Sequence, residues 1–264
     1  MRTRSAAEMA VGCWRLAVFS ANGLESNVSM NAVIVIPARW ASTRFPGKPL
    51  VMIAGTTLIQ RVYERAAKSR RAAAVWVATD DQRIADHIRS FGGRVTLPKG
   101  DFQSGTDRIA AALDLLGEDF DQIVNVQGDE PLIDSASIDG VIDALQNSRV
   151  DMATLACPIE SKQELLSRDI VKVVTAADGN ALYFSRAPMA GAQRHIGLYG
   201  YQNRVLRALA TLAPSPLERA ESLEQLRALE NGFKIRVLPT DKPHYGVDRP
   251  EDVLRVEQEL AKHG

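Results

Sequence analysis

The chain has 264 residues, of which 45% are hydrophobic and 24% charged, a globular composition that leaves room for one large α/β domain and excludes global disorder. Its 32 lysines and arginines balance 32 aspartates and glutamates, so no global basic field exists for nucleic acid or an anionic membrane, and any polyanion site must be built locally. No stretch is long and apolar enough to span a bilayer, and Cys13 and Cys157 have neither metal spacing nor the setting of a disulfide, which suits a reducing cytoplasm.

Arg2 and Arg4 precede a semi-apolar stretch from Met9 to Ala21 that Arg15 interrupts, short of the unbroken core of a secretory signal. Residues 1–29 therefore read as a disordered leader or as sequence upstream of a working start at Met30, and residues 30–264 as a single domain. Ala32–Pro37 (AVIVIP) is a short apolar β-branched run, the pattern of a buried strand. A loop rich in Gly, Pro and Arg follows from Ala38 to Pro49. Leu58–Lys68 has helical periodicity, Ala74–Ala78 (AVWVA) is a second buried strand, Asp81–Phe91 a helix and Arg94–Leu97 a short strand. Ser104–Leu116 reads as a helix capped by Ser104 or Thr106, and Gln122–Val126 (QIVNV) as a strand running into Gln127-Gly128-Asp129.

This alternation, with strands apolar on both faces, predicts an α/β fold: a mixed, mostly parallel sheet with helices on both sides. Ligands of such sheets sit at the carboxyl ends of the strands, where Arg39–Lys48, Thr79-Asp80 and Gln127–Asp129 fall. In the second half, Met152–Ile159, Val171–Thr175, Ala181–Arg186, Ile196–Tyr201 and Lys234–Leu238 read as strands. Pro216–Leu229 reads as one helix with acidic first turns, and Pro250–Ala261 as a terminal helix.

The loop Pro37–Leu50 sets Arg39, Arg44 and Lys48 directly after a strand. Charge-assisted bonds from such cations, with loop N–H groups, suit a polyphosphate. It is not a Walker A loop, because Pro49 rather than Ser or Thr follows Gly47-Lys48. Asp129, after Gly128, is placed to hold Mg²⁺, a hard cation that takes oxygen ligands; a turn residue is the plainer account of it. Asp248 in Gly246–Asp252 reads first as a helix cap, but two carboxylates from distant segments would together serve Mg²⁺. Ser104-Gly105-Thr106 suits either an ordinary cap or backbone contact with a base or phosphate. His195 at a strand start, and Glu224 and Gln225 further on, suit sugar hydroxyls or a structural role equally.

Taken in order, PARxxSTRxPGKPL, VATDD, QSGTDR, VNVQGDEP, VKVV, ALYFSRAP, RHIGLYGY, PSPLE, LEQLRALENG and GVDxPEDV resemble the 3-deoxy-manno-octulosonate cytidylyltransferase family over about Asn31 to Leu260. The resemblance implies a Rossmann-like nucleotidyltransferase, dimeric as the family usually is, that moves CMP from CTP to an acidic sugar in the cytoplasm with Mg²⁺ as cofactor. It implies that Ala38, Arg39, Ser42, Arg44, Lys48, Thr79, Asp80, Ser104, Gly105, Thr106, Arg108 and Gln127 bind the nucleotide. Arg39, Arg44, Lys48, Asp129 and Asp248 would be catalytic, the two aspartates holding the metal. Arg186, His195, Tyr199, Glu224 and Gln225 would bind the acceptor, in a subregion around 152–240 that also serves dimerisation.

The chain departs from the family in two places. Only Met189–Gln193 joins Phe184–Pro188 to Arg194-His195, where the family carries a longer insert beginning Ile-Pro-Trp, and Arg249 stands where the family has Thr. An added cation beside a shortened loop suits a smaller, more anionic acceptor, so cytidylylation of a phosphonate such as phosphonoformate is a second reading. A non-catalytic nucleotide-binding module is a third.

Overall fold

The structure is a computed structural model, which describes residues 31–41, 44–100, 102, 104–241 and 245–263; the expected leader at 1–29, Cys13 and Ser42 lie outside them. The first strand, β1 (Ala32–Ala38), sends Ala32, Ile34 and Ile36 into one core and Val33 and Val35 into the other. Both faces are therefore covered, as a continuous apolar run requires. A single 3-10 turn (Lys48–Leu50) and a short hairpin, β2 (Met52–Ile53) and β3 (Thr56–Thr57), lead into α1 (Leu58–Ala66). Then come β4 (Ala72–Thr79), α2 (Gln82–Ser90), β5 (Val95–Thr96), α3 (Gly105–Leu113), β6 (Gln122–Asn125) and α4 (Ser135–Leu145). The second half comprises β7 (Met152–Cys157), α5 (Lys162–Leu166), β8 (Lys172–Thr175), β9 (Ala181–Ser185), β10 (Gln193–Gln202), α6 (Asn203–Thr211), α7 (Pro216–Glu221), α8 (Gln225–Glu230), β11 (Ile235–Pro239) and α9 (Pro250–His263).

The main sheet runs β11-β7-β10-β6-β1-β4-β5. Every neighbouring pair on that path is parallel except those of β10, which is antiparallel to both β6 and β7. β8 and β9 form an antiparallel hairpin attached through β10. Leu58, Ile59, Val62, Ile84, Ile88, Ile138, Val141 and Val256 pack α1, α2, α4 and α9 on one face, while Ile109, Ala112, Val205, Leu206 and Leu226 pack α3, α6 and α8 on the other. The expected mixed, mostly parallel sheet between two helical layers is the observed one.

The β2–β3 hairpin, α4, α5 and α6 go beyond the sequence reading. α4 carries helical spacing at Ile138, Val141, Ile142 and Leu145 behind an Asp134 cap, and α6 buries Val205, Leu206 and Leu209. One expectation is corrected: residues 216–229 are not one helix. α7 starts on Pro216 with a full Ser215/Glu218 capping box and stops where Ser222 turns left-handed at φ 54°. Arg227, almost fully buried, pairs with Glu218 at 2.6 Å and donates to the carbonyls of Leu209 and Leu212, which fixes α8 at its angle to α7.

Candidate functional site

β1 delivers the basic loop to the carboxyl end of the sheet. Gly47 takes φ 70°, and a Cβ there would lie 3.0 Å from the Trp40 ring, so glycine lets the loop fold back over Trp40. The guanidinium of Arg83 stacks 3.4 Å from the centre of the Trp40 ring and is held by Asp81 at 2.6 Å, which ties the loop to the start of α2.

Lys48 is thereby aimed at two carboxylates. Its Nζ lies 2.8 Å from Asp129 Oδ2 and 3.3 Å from Asp248 Oδ1, with the Lys48 side chain only 15% exposed. Arg44 meets Asp248 through Nη1 and Nη2, at 3.3 and 3.1 Å, but this pair is exposed and contributes little stability. A backbone bond from Val247 N–H to the Asp129 carbonyl, 2.8 Å, brings the two carboxylates to one place. Among the described residues no three His, Cys, Asp or Glu side chains could hold a metal by themselves. Asp129 and Asp248 fit Mg²⁺ in the other manner, in which one or two carboxylates share the ion with substrate phosphates and water. That both already converge on one cation, Lys48, is the observation that favours it.

Gly128 passes under the Pro37 carbonyl, and a Cβ built there would sit 2.8 Å from that oxygen. Gly128→Ala must therefore push backbone against backbone. We expect it to lower stability by about 1–3 kcal/mol and to raise KM for the nucleotide; an unchanged Tm in differential scanning calorimetry would contradict this.

Between the loop and the start of α3 lies a cavity of about 230 Å³, whose walls include Ala38, Arg39, Arg44, Lys48, Ser104, Gly105, Arg108, Gln127, Asp129 and Asp248. The predicted nucleotide residues among those described converge here with three exceptions, Thr79, Asp80 and Thr106. Thr79 is fully buried and accepts from the Asp81 N–H at 3.2 Å, as a turn residue does. Asp80 stands behind the wall and holds Arg108 Nη2 at 2.8 Å. Arg108 also lies over the Phe102 ring, and its Nη1 is buried with no hydrogen-bond partner among the described residues.

The predicted acceptor residues divide between two further cavities. Tyr199, Glu224 and Gln225 line one of about 100 Å³ together with Thr106, Asn125 and Gln127. Arg186 and His195 line another of about 620 Å³, with Glu130, Arg194 and Arg249. Gln127 is common to the nucleotide cavity and the small one, and Arg44 and Asp248 to the nucleotide cavity and the large one. Thr106, expected against the nucleotide, lines the small cavity, where its side chain hydrogen-bonds Glu224 and Tyr201.

Burial raises the Glu224 carboxyl, against hydrogen bonds with Ser104 and Thr106 that favour its ionised form. Its Oε1 is buried without a partner among the described residues. Burial pushes His195 down to about 3, so the ring is neutral at physiological pH. Its Nε2 lies 3.0 Å from Thr154 Oγ1, and that hydroxyl has the Leu198 carbonyl at 2.8 Å. A carbonyl can only accept, so Thr154 donates to Leu198, accepts from His195 Nε2–H, and leaves Nδ1 as the open lone pair. The His195 ring lies between Phe184 and Tyr199, with centroids 5.1 and 5.3 Å away.

The sequence reading missed Glu130. Burial first, then the Asp129 carboxylate beside it, pushes it up to about 8. The folded chain thus keeps this proton up to about pH 8, whereas the unfolded chain releases it near 4.5. The resulting stability is complete below pH 4.5 and is lost as the pH rises to about 8. Glu130→Gln is expected to flatten that fall in the free protein, and a Tm–pH profile parallel to that of the wild type would refute it.

A cytidylyltransferase family model matches residues 33–235. The 3-deoxy-manno-octulosonate cytidylyltransferase of Syntrophotalea carbinolica is 49% identical over 249 residues, covering 88% of this chain and 99% of the relative. That of Myxococcus xanthus is 48% identical over 246 residues, with 89% and 99% covered. Those 249 aligned positions exceed the matched share of this chain, so part of the relative has no counterpart here, in keeping with the short Met189–Gln193 segment. Among solved structures, CMP:2-keto-3-deoxy-manno-octonic acid synthetase complexed with CTP superposes with a TM-score of 0.84 at 38% identity, covering 89% of this chain and all of that one.

Proposed function

The chain belongs to the cytidylyltransferase family, and from that membership we propose that it transfers CMP from CTP to 3-deoxy-manno-octulosonate, releasing pyrophosphate. The observation that carries this reading is the position of Lys48 between Asp129 and Asp248, where the nucleotide cavity meets the larger acceptor cavity. The relatives named for this sugar acid favour it over the phosphonate, and its convergent cations and carboxylates favour it over a module that only binds nucleotide.

The triphosphate lies against Arg39, Arg44 and Lys48, whose charges offset the charge that develops on the departing pyrophosphate. Arg108 Nη1, buried in that wall with no partner among the described residues, donates to an acceptor edge of the cytosine. The sugar acid enters from the other side of Asp248. Arg186 meets its carboxylate, and neutral His195, Tyr199, Glu224 and Gln225 orient its hydroxyls. Its anomeric oxygen forms a bond to the α-phosphorus as the bond to the pyrophosphate oxygen breaks, and the hydroxyl proton leaves to solvent. Asp129 and Asp248 would hold Mg²⁺, which when bound would supply charge neutralisation and a lowered hydroxyl pKa. Positioning both reactants is the remaining contribution, with no covalent enzyme intermediate.

No helix among the described residues is long and apolar enough to cross a membrane, and the buried Cys157 is a free thiol; a cytoplasmic enzyme is in keeping with both. A homodimer follows the family and predicts a light-scattering mass twice the 28.8 kDa of the chain.

The test is pyrophosphate release from CTP and Mg²⁺ with the sugar acid and with phosphonoformate in parallel. Release with the sugar acid alone is expected. Release with phosphonoformate alone would transfer the protein to the phosphonate reading, and release with neither acceptor would refute both.

A further inference from the structure

The two halves of the acceptor site stand on different elements, and one carboxylate joins them. Arg186 follows β9, while Glu224 and Gln225 open α8. Glu221, the last residue of α7, accepts from Ser185 Oγ at 2.7 Å and from the Arg186 backbone N–H at 3.0 Å. Its own carbonyl accepts from Arg186 Nε at 3.2 Å. Ser185 Oγ also accepts from the Ala187 N–H at 2.9 Å, so the turn after β9 is held on both sides of Arg186.

A second cation completes the bracket from beneath. Lys172 is fully buried, and its Nζ donates to the Arg186 carbonyl at 2.9 Å and to the Ser167 carbonyl. Arg186 Nη1 donates to the Arg168 carbonyl at 3.1 Å. Arg186 is thus gripped at its N–H, its carbonyl and two of its guanidinium nitrogens. On the other side of Glu221, Ser222 adopts φ 54°, a left-handed conformation that a residue other than glycine takes only when its surroundings impose it. That residue sets the direction in which the chain leaves for Glu224 and Gln225. The bonds from Arg186 and Ser185 also hold the Glu221 carboxyl below its ordinary range.

We propose that Glu221 is a positioning residue that registers Arg186 on one side of the acceptor site to the Glu224–Gln225 turn on the other. It lines none of the three cavities and acts through these groups. The inference rests on the acceptor reading given above. Because Arg39, Lys48 and Arg108 stand on other elements, loosening the bracket weakens acceptor recognition and leaves nucleotide recognition in place.

The experiment is steady-state pyrophosphate release by Glu221→Ala and Glu221→Gln, varying each substrate in turn. The alanine variant is expected to raise KM for 3-deoxy-manno-octulosonate about tenfold, the scale of a lost charge-assisted hydrogen bond. The glutamine variant, which keeps one accepting oxygen, should raise it about threefold, with KM for CTP within about twofold in both. If the alanine variant does not fold, the glutamine variant carries the test. Equal rises in both KM values would reduce Glu221 to a general support of the fold and overturn the proposal. An unshifted acceptor KM, with normal wild-type turnover, overturns this inference alone. A wild type that does not turn over the sugar acid overturns the acceptor reading and this inference with it.

Discussion

Asp129→Asn is expected to lower kcat for pyrophosphate release by about a thousandfold with little change in KM for CTP. The side chain stands directly after Gly128 at the end of β6 and makes the shorter of the two Lys48 contacts, 2.8 Å against 3.3 Å for Asp248. Asparagine keeps its volume and removes its charge. On the proposed reading the lost group is the one that would fix cationic charge at the reacting phosphorus, and single electrostatic groups of this kind carry about two to three orders of magnitude in rate. Arg39, Arg44 and Arg108 remain in the cavity wall, so on the proposed reading binding should change less than turnover. Lys48 keeps Asp248 as its partner, and the melting temperature should stay within a few degrees. A kcat within tenfold of the wild type would remove Asp129 from the catalytic centre.

Lys48→Met should be nearly as severe, with a signature of its own. We expect kcat/KM for CTP to fall about a hundredfold to a thousandfold, because a cation is withdrawn from the triphosphate. In the free protein the same change leaves the Asp129 and Asp248 carboxylates facing one another with no ammonium between them. The two carboxylates are partly exposed and Arg44 still meets Asp248, so what remains is a screened like-charge repulsion that destabilises modestly. The variant should therefore melt below the wild type at neutral pH, and Mg²⁺ should raise its Tm more than it raises that of the wild type. Thermal melts with Mg²⁺ and with EDTA check this. No magnesium response in the variant would refute the assignment of the metal to these two aspartates.

The apolar run Ala32–Pro37, the helix cap around Ser104, the helix start at Pro216 and the polar clusters at the strand ends were all legible in the chain, because each is a local pattern of side-chain period or turn chemistry. The ordered motifs added the family and its reaction. The sequence alone thus determined the fold class, the basic loop and the two aspartates that face it. Only the tertiary structure decided how these groups meet. Lys48 and Asp248 are 200 positions apart, and no local pattern records a contact at that range. Asp80 could be seen beside the site but not that it braces Arg108, because a strand-end position does not state which way a side chain turns. The acidic run 216–229 reads as continuous helix, and it breaks at Ser222 because the buried Arg227–Glu218 pair and the Glu221 bracket fix the two helices separately. Glu130 looks in sequence like a second exposed acid after Asp129; packing beside Asp129 and Gly246 removes it from water, and it is that removal that gives it a proton at neutral pH.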